Sequence, residues 1–132
     1  MGWSKGKDHP PLDPDIGAVV VDMNWAGSIA EQQGAIRGAL LPSEAVMCIA
    51  GDSNGHVVVV TDQRLLTFGR NGLRACLLPT QFGKVLVMPM SQVNFEIWVE
   101  EPGVGAPIAL KIKMIGSQSA HVLATAIATL SA

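Results

Sequence analysis

Among the residues that could carry chemistry, two cysteines (Cys48, Cys76), three histidines (His9, His56, His121) and the carboxylates Asp52 and Asp62 stand out. A thiol nucleophile needs an imidazole within hydrogen-bond reach and a polar setting that favours thiolate. Both cysteines instead lie in apolar stretches, AVMCIAG and RACLLPT, which predicts reduced, buried thiols of raised pKa. A single disulfide between neighbouring strands stays open. The one pairing with a base is Cys48 with His56 across the GDSNG turn, so a small thiol enzyme built on that pair is one reading of the chain. No two histidines share a ligand-like spacing and no CxxC occurs, so no zinc site and no cofactor are expected. Asp52-Ser53-Asn54-Gly55 has the residue types of a calcium loop. It lacks a second carboxylate cluster and reads as a turn.

Binding offers more candidates than catalysis. PGVGAP at 102–107 and GRNGLR at 69–74 are glycine-rich, yet neither joins a strand to a helix as a phosphate-binding loop must. Both read as hairpin tips. Arg64, Arg70 and Arg74 lie close in sequence around one turn and, with Lys84, could form a basic spot for an anionic ligand or a membrane surface. Trp98 interrupts a polar strand face made by Asn94, Glu96 and Glu100. Tryptophan is enriched at interface hot spots, so Trp98 marks a place to be covered, by the N-terminal arm, by a helix over 24–41 or by another subunit.

The elements that hold these residues follow from composition and periodicity. The chain has 132 residues, 48% hydrophobic, 15% charged and 5% aromatic, which suits one domain with a substantial core. A formal net charge of −2 gives no basic field for nucleic acid. MGWSKGKDHPP contains no apolar run of signal-peptide length. Residues 114–132 carry no Asp, Glu, Lys or Arg, but Ser117, Gln118, Ser119, His121, Thr125 and Thr129 interrupt them too often for a membrane span. A soluble, cytoplasmic protein is the expectation.

Residues 1–23 read as an N-terminal extension, mobile or docked on the surface, followed by one domain over 24–132. Within the extension, IGAVVVDM is compatible with a strand or a docked extended arm. Trp25, Ile29, Ile36 and Leu40 fall on one face of a helix ended by Pro42 and capped by Asn24 or Ser28; Gly27, Gly34 and Gly38 make it weak by propensity. From Glu44 the texture is β. Turn signals divide it into strands at about 44–50, 56–61, 64–69, 73–78, 84–89, 93–100 and 107–115. In the last pair, a hairpin closed by EPGVGA sets Val99 opposite Ile108, Ile97 opposite Leu110, Glu96 opposite Lys111 and Trp98 opposite Ala109. A closing helix over about 118–130 carries Val122, Leu123, Ala126, Ile127 and Leu130 as its apolar stripe.

GHVVVVTDQRLLTFG is then a hairpin turning at Asp62-Gln63, with Arg64 free to reach back to Asp62 or to turn carbonyls. With LLPSEAV at 40–46, VMPMSQV at 87–93 and the final helix, this stretch resembles bacterial pleckstrin-homology-like domains over residues 36–132. In that family a Glu after a Leu-Pro pair precedes a Val-rich Thr-x-x-Arg-Leu hairpin. The resemblance implies a bent antiparallel barrel or sandwich of about seven strands capped by a C-terminal helix. It also implies a non-enzymatic binding or assembly module, engaged in protein contacts or homo-oligomerisation. Weak anionic or membrane-surface binding through the arginine spot is the alternative.

Overall fold

The computed structural model describes residues 10–131. It is mainly β: strands β1 (Val46–Gly51), β2 (Val57–Thr61), β3 (Leu65–Gly69) and β4 (Gly72–Leu77) form one antiparallel sheet in chain order. A second sheet holds β5 (Val85–Pro89), β6 (Asn94–Glu100) and β7 (Ile108–Ile115), also in chain order. The sheets do not close into a barrel. A four-residue helix α1 (Pro14–Gly17) and a longer helix α2 (Ala26–Ala39) precede β1, and α3 (Ser117–Ser131) ends the chain.

The layering explains why the VVVV run does not alternate. Every residue of β2 and β3 is buried, because both faces of the first sheet are covered. On one face Val58, Val60 and Leu65 meet Ile97, Val99 and Ile112 of the second sheet and Leu123 and Ile127 of α3. On the other, Val57, Val59, Leu66 and Phe68 pack with Ile29 and Ile36 of α2 and with Ile16. Burial of Ile29 and Ile36, each 0% exposed, holds a helix that its glycines would not hold alone. The side-chain cap lies earlier than expected: Asp22, not Asn24 or Ser28, accepts the Asn24 N–H at 3.0 Å, opening a short 3-10 turn over Met23–Trp25.

The described part of the N-terminal extension is docked. Ile16 is 1% exposed, Arg37 of α2 holds Asp13 and Asp15, and Val19–Val21 run parallel to the free edge of β1. There Ile49 N–H donates to the Val19 carbonyl at 2.9 Å and Val21 N–H to the Ile49 carbonyl at 2.8 Å. IGAVVVDM is thus a helical turn leading into an extended arm, and this arm belongs to the core. Expectations for residues 1–9, His9 included, lie outside the described residues.

Two further expectations for the elements need correction. The β6–β7 register is displaced by two residues: Val99 pairs with Leu110, Ile97 with Ile112, Glu96 with Lys113 and Trp98 with Lys111, not Ala109. A bulge between Val99 and Glu100, which itself faces Ile108, takes up the extra residues near the hairpin loop. Side chains alternate with period two, so the inward face survives the displacement. In α3, Leu123 and Ile127 are buried as expected, but Val122 is 45% exposed and the small Ala120 and Ala124 are buried instead. The stripe is rotated because α3 packs against strands of both sheets and needs alanines for the close approach.

Candidate functional site: the groove between β1 and α3

The corner residues are committed to structure. Thr61 Oγ1 accepts the N–H groups of Gln63 (3.0 Å) and Arg64 (2.8 Å), closing the turn. Arg64 does not reach back to Asp62. Its Nε donates to Glu44 Oε2 at 2.8 Å, its Nη2 to Glu44 Oε1 and to the Ala39 carbonyl, fastening the corner to the end of α2. Thr61 also donates to Glu44 Oε2. The Glu44 side chain is 0% exposed, and the Arg64 guanidinium, with help from Thr61 and the Leu41 N–H, pulls its carboxyl down to a pKa of about 2. Asp62 instead accepts the Ala45 N–H at 3.0 Å. The sequence singled out the Glu and the Thr-Asp-Gln-Arg corner separately; their direct contact is a finding of the structure.

The four basic candidates are not one cluster. Arg64 and Arg70 flank opposite ends of β3, about 20 Å apart at about 3.4 Å per residue. Lys84 leads into the other sheet, where its carbonyl accepts the Glu100 N–H. Arg70 and Arg74 do share one hairpin end, and Arg74 Nη1 stands 3.1 Å from His56 Nδ1. Asp52, in the adjoining turn, accepts the N–H groups of Asn54 and His56 at 2.8 and 2.9 Å, the work of a turn residue. Trp98 is half-buried on the outer face of the second sheet. Its Nε1 donates to Glu96 Oε1 at 2.9 Å and Lys111 Nζ sits 5.0 Å from the ring centroid. Helix α2, one of its expected covers, packs on the other sheet.

The thiols also separate. Cys76 is exposed, contrary to expectation, because β4 is an edge strand whose outer positions face solvent. Both thiols are free. Cys48 is buried and burial pushes it up to about 11, so it stays protonated at neutral pH. It pairs with Val60, four residues along the strand from His56, so the structure does not bring this thiol to that imidazole.

What the structure does build is a groove. The N-terminal arm reaches β1 only at Ile49, running parallel to it from Val19 to Val21 before it turns away at Asp22; the first half of β1, ahead of that contact, has no strand on that side among the described residues. Helix α3 crosses the same region. Between them lie two hollows of ≈ 660 and ≈ 450 Å³ that share Met47 and Ala126. The first runs from the arm and Asp22 to Gln118 and Val122; the second runs on to Asp62, Thr129 and Leu130. Met47 is 59% exposed and Val122 45%, so two large apolar side chains stand open on opposite walls. Cys48 lies beneath them as a neutral thiol. Sequence reasoning missed the groove. Its signal was a methionine beside a buried cysteine in a strand, which a bulge between Val46 and Cys48 turns outward.

Among the described residues, no three His, Cys, Asp or Glu side chains gather as metal ligands would, and no helix is long and apolar enough to cross a membrane. Comparisons with protein-family models, curated proteins and solved structures found no match to this chain.

Proposed function

We propose that this chain is a non-enzymatic binding module of pleckstrin-homology-like fold that acts through protein contacts, with another chain or with its own copies, at the β1–α3 groove. The observation that carries the reading is the pair of exposed apolar walls, Met47 and Val122, which face one concave volume. The resemblance implies about seven antiparallel strands capped by a C-terminal helix, and the chain's seven antiparallel strands and closing helix are compatible with it. The test is selection of binding peptides from a random displayed library, alongside sedimentation equilibrium of the chain alone. Selected peptides, or self-association, should be lost in Val122→Arg while the variant keeps its melting temperature. A chain that is monomeric at micromolar concentration and selects no peptide contradicts the proposal, as does binding indifferent to Val122→Arg.

A second reading has its own observation. Arg70 and Arg74 belong to one hairpin end, Arg74 beside His56, and this favours an anionic ligand there. Flotation with acidic liposomes at low salt, compared between the natural chain and Arg70→Glu/Arg74→Glu, decides it; no difference removes the site.

A further inference from the structure

The charge pattern of the groove says what it takes. Helix α3 offers no Asp, Glu, Lys or Arg along its length, and its one ionisable side chain, His121, does not line either hollow. The charged side chains on the lining are two carboxylates, Asp22 in the first hollow and Asp62 in the second. Between them the apolar walls are Met47, Val122, Ala126 and Leu130, with the uncharged Ser119 and Thr129 among them. An acidic residue therefore stands toward each end of an apolar trough.

We infer that the groove binds a short apolar peptide segment carrying a basic residue at each end. This rests on the binding-module reading above and specifies its ligand. The reach of the trough follows from the helix: Gln118 to Leu130 is twelve steps of about 1.5 Å, or about 18 Å. That length accommodates about five or six residues of extended chain. Apolar side chains in the middle would cover Met47 and Val122, and an ammonium or guanidinium at either end would meet Asp22 or Asp62. An acidic end would face a like charge instead, and an uncharged end would dehydrate a carboxylate without a partner. Each carboxylate already gives one oxygen to a backbone N–H, Asp22 to Asn24 and Asp62 to Ala45, which fixes its position before any ligand arrives.

The probe is the blocked hexapeptide Lys-Leu-Val-Ala-Leu-Lys, with Glu-Leu-Val-Ala-Leu-Glu as its control, titrated into the isotope-labelled full chain and followed by amide chemical shifts. The lysine-ended peptide should move the amides of Met47, Val122 and Ala126 in a saturable way and bind about tenfold tighter than the control, two solvent-exposed charge pairs being exchanged for two repulsions. In Asp22→Asn/Asp62→Asn, where asparagine keeps the oxygen that accepts the backbone N–H, the preference should fall to about twofold or less. Val122→Arg should abolish binding of both peptides with the fold intact. Equal affinity for the two peptides overturns the inference, as does a preference that survives the double asparagine variant, shifts confined to Arg70 and Arg74 or to Trp98, or a groove already filled by a second copy. If library-selected peptides move the groove amides while the lysine-ended hexapeptide does not, the charge rule falls and the binding-module reading stands. If neither does, both fall.

Discussion

Replacing Glu44 by glutamine probes the contact that fixes the corner of the first sheet. Glu44 sits with its side chain 0% exposed against an Arg64 side chain only 14% exposed, and accepts from Arg64 Nε, Arg64 Nη2, Thr61 Oγ1 and the Leu41 N–H. Glutamine keeps the shape but removes the charge and turns one acceptor into a donor facing Arg64. Breaking a buried pair by deleting one partner costs about 3–5 kcal/mol; the residual exposure of Arg64 moves the expectation to about 2–4 kcal/mol. The same contacts imply a pH dependence. A carboxyl lowered from 4.5 to about 2 on folding is worth about 3 kcal/mol, at about 1.4 kcal/mol per pKa unit. The folded pKa is depressed, so this stability is fully present above the unfolded pKa and is lost as pH falls from about 5 towards 2. Urea unfolding at neutral pH and at successively lower pH measures both quantities, and a double-mutant cycle with Arg64→Met isolates the coupling. The cycle should return about 2 kcal/mol or more, and Glu44→Gln should lose most of the acid sensitivity of the natural chain between pH 5 and 2. A coupling below about 0.5 kcal/mol, or an unchanged acid slope in the variant, refutes the reasoning.

Three further outcomes are expected. Ile16→Ala should cost about 2–5 kcal/mol in urea unfolding, because the arm belongs to the core; a cost below about 0.5 kcal/mol would place the arm outside the cooperative unit. A Cβ on Gly51 would stand 2.7 Å from Cβ and Cγ of Trp25, whereas one on Gly34, inside α2, meets nothing within 4 Å. Gly51→Ala should therefore destabilise by about 1–3 kcal/mol and Gly34→Ala stabilise by about 1 kcal/mol, and thermal melts showing the reverse order would contradict the packing. Iodoacetamide at neutral pH should label Cys76 alone, with Cys48 reacting only on unfolding; early labelling of Cys48 would contradict its burial and raised pKa.

Most of the fold could be read from turn chemistry and side-chain periodicity. All seven strands and both main helices lie within a few residues of their expected places, since Gly, Pro, Asn and Asp clusters punctuate a Val-, Ile- and Leu-rich chain. What was not legible depends on contacts between segments distant in sequence. The β6–β7 register turned on a bulge at Val99, and hydrophobic alternation is blind to a two-residue displacement. The docking of Ile16 and the pairing of Val20 with Ile49 join positions about 30 apart, for which IGAVVVDM carries no local signature. The arginines illustrate the same limit at the site. Closeness in sequence grouped Arg64 with Arg70, but β3 runs between them, and Arg64 found its partner in Glu44, twenty residues earlier. Val122 was assigned inward because helical spacing alone cannot tell which side of a mostly apolar helix meets two sheets at once.

The proposed ligand surface of this module lies between β1 and α3. Intermolecular NOEs between a library-selected peptide and the methyl groups of Met47 and Val122, in a chain labelled only at methionine and valine methyls, test it most directly. Cross-peaks from one bound peptide to both side chains are expected. Cross-peaks to Met88 or Met90 on the second sheet, with none to Met47 and Val122, would contradict it.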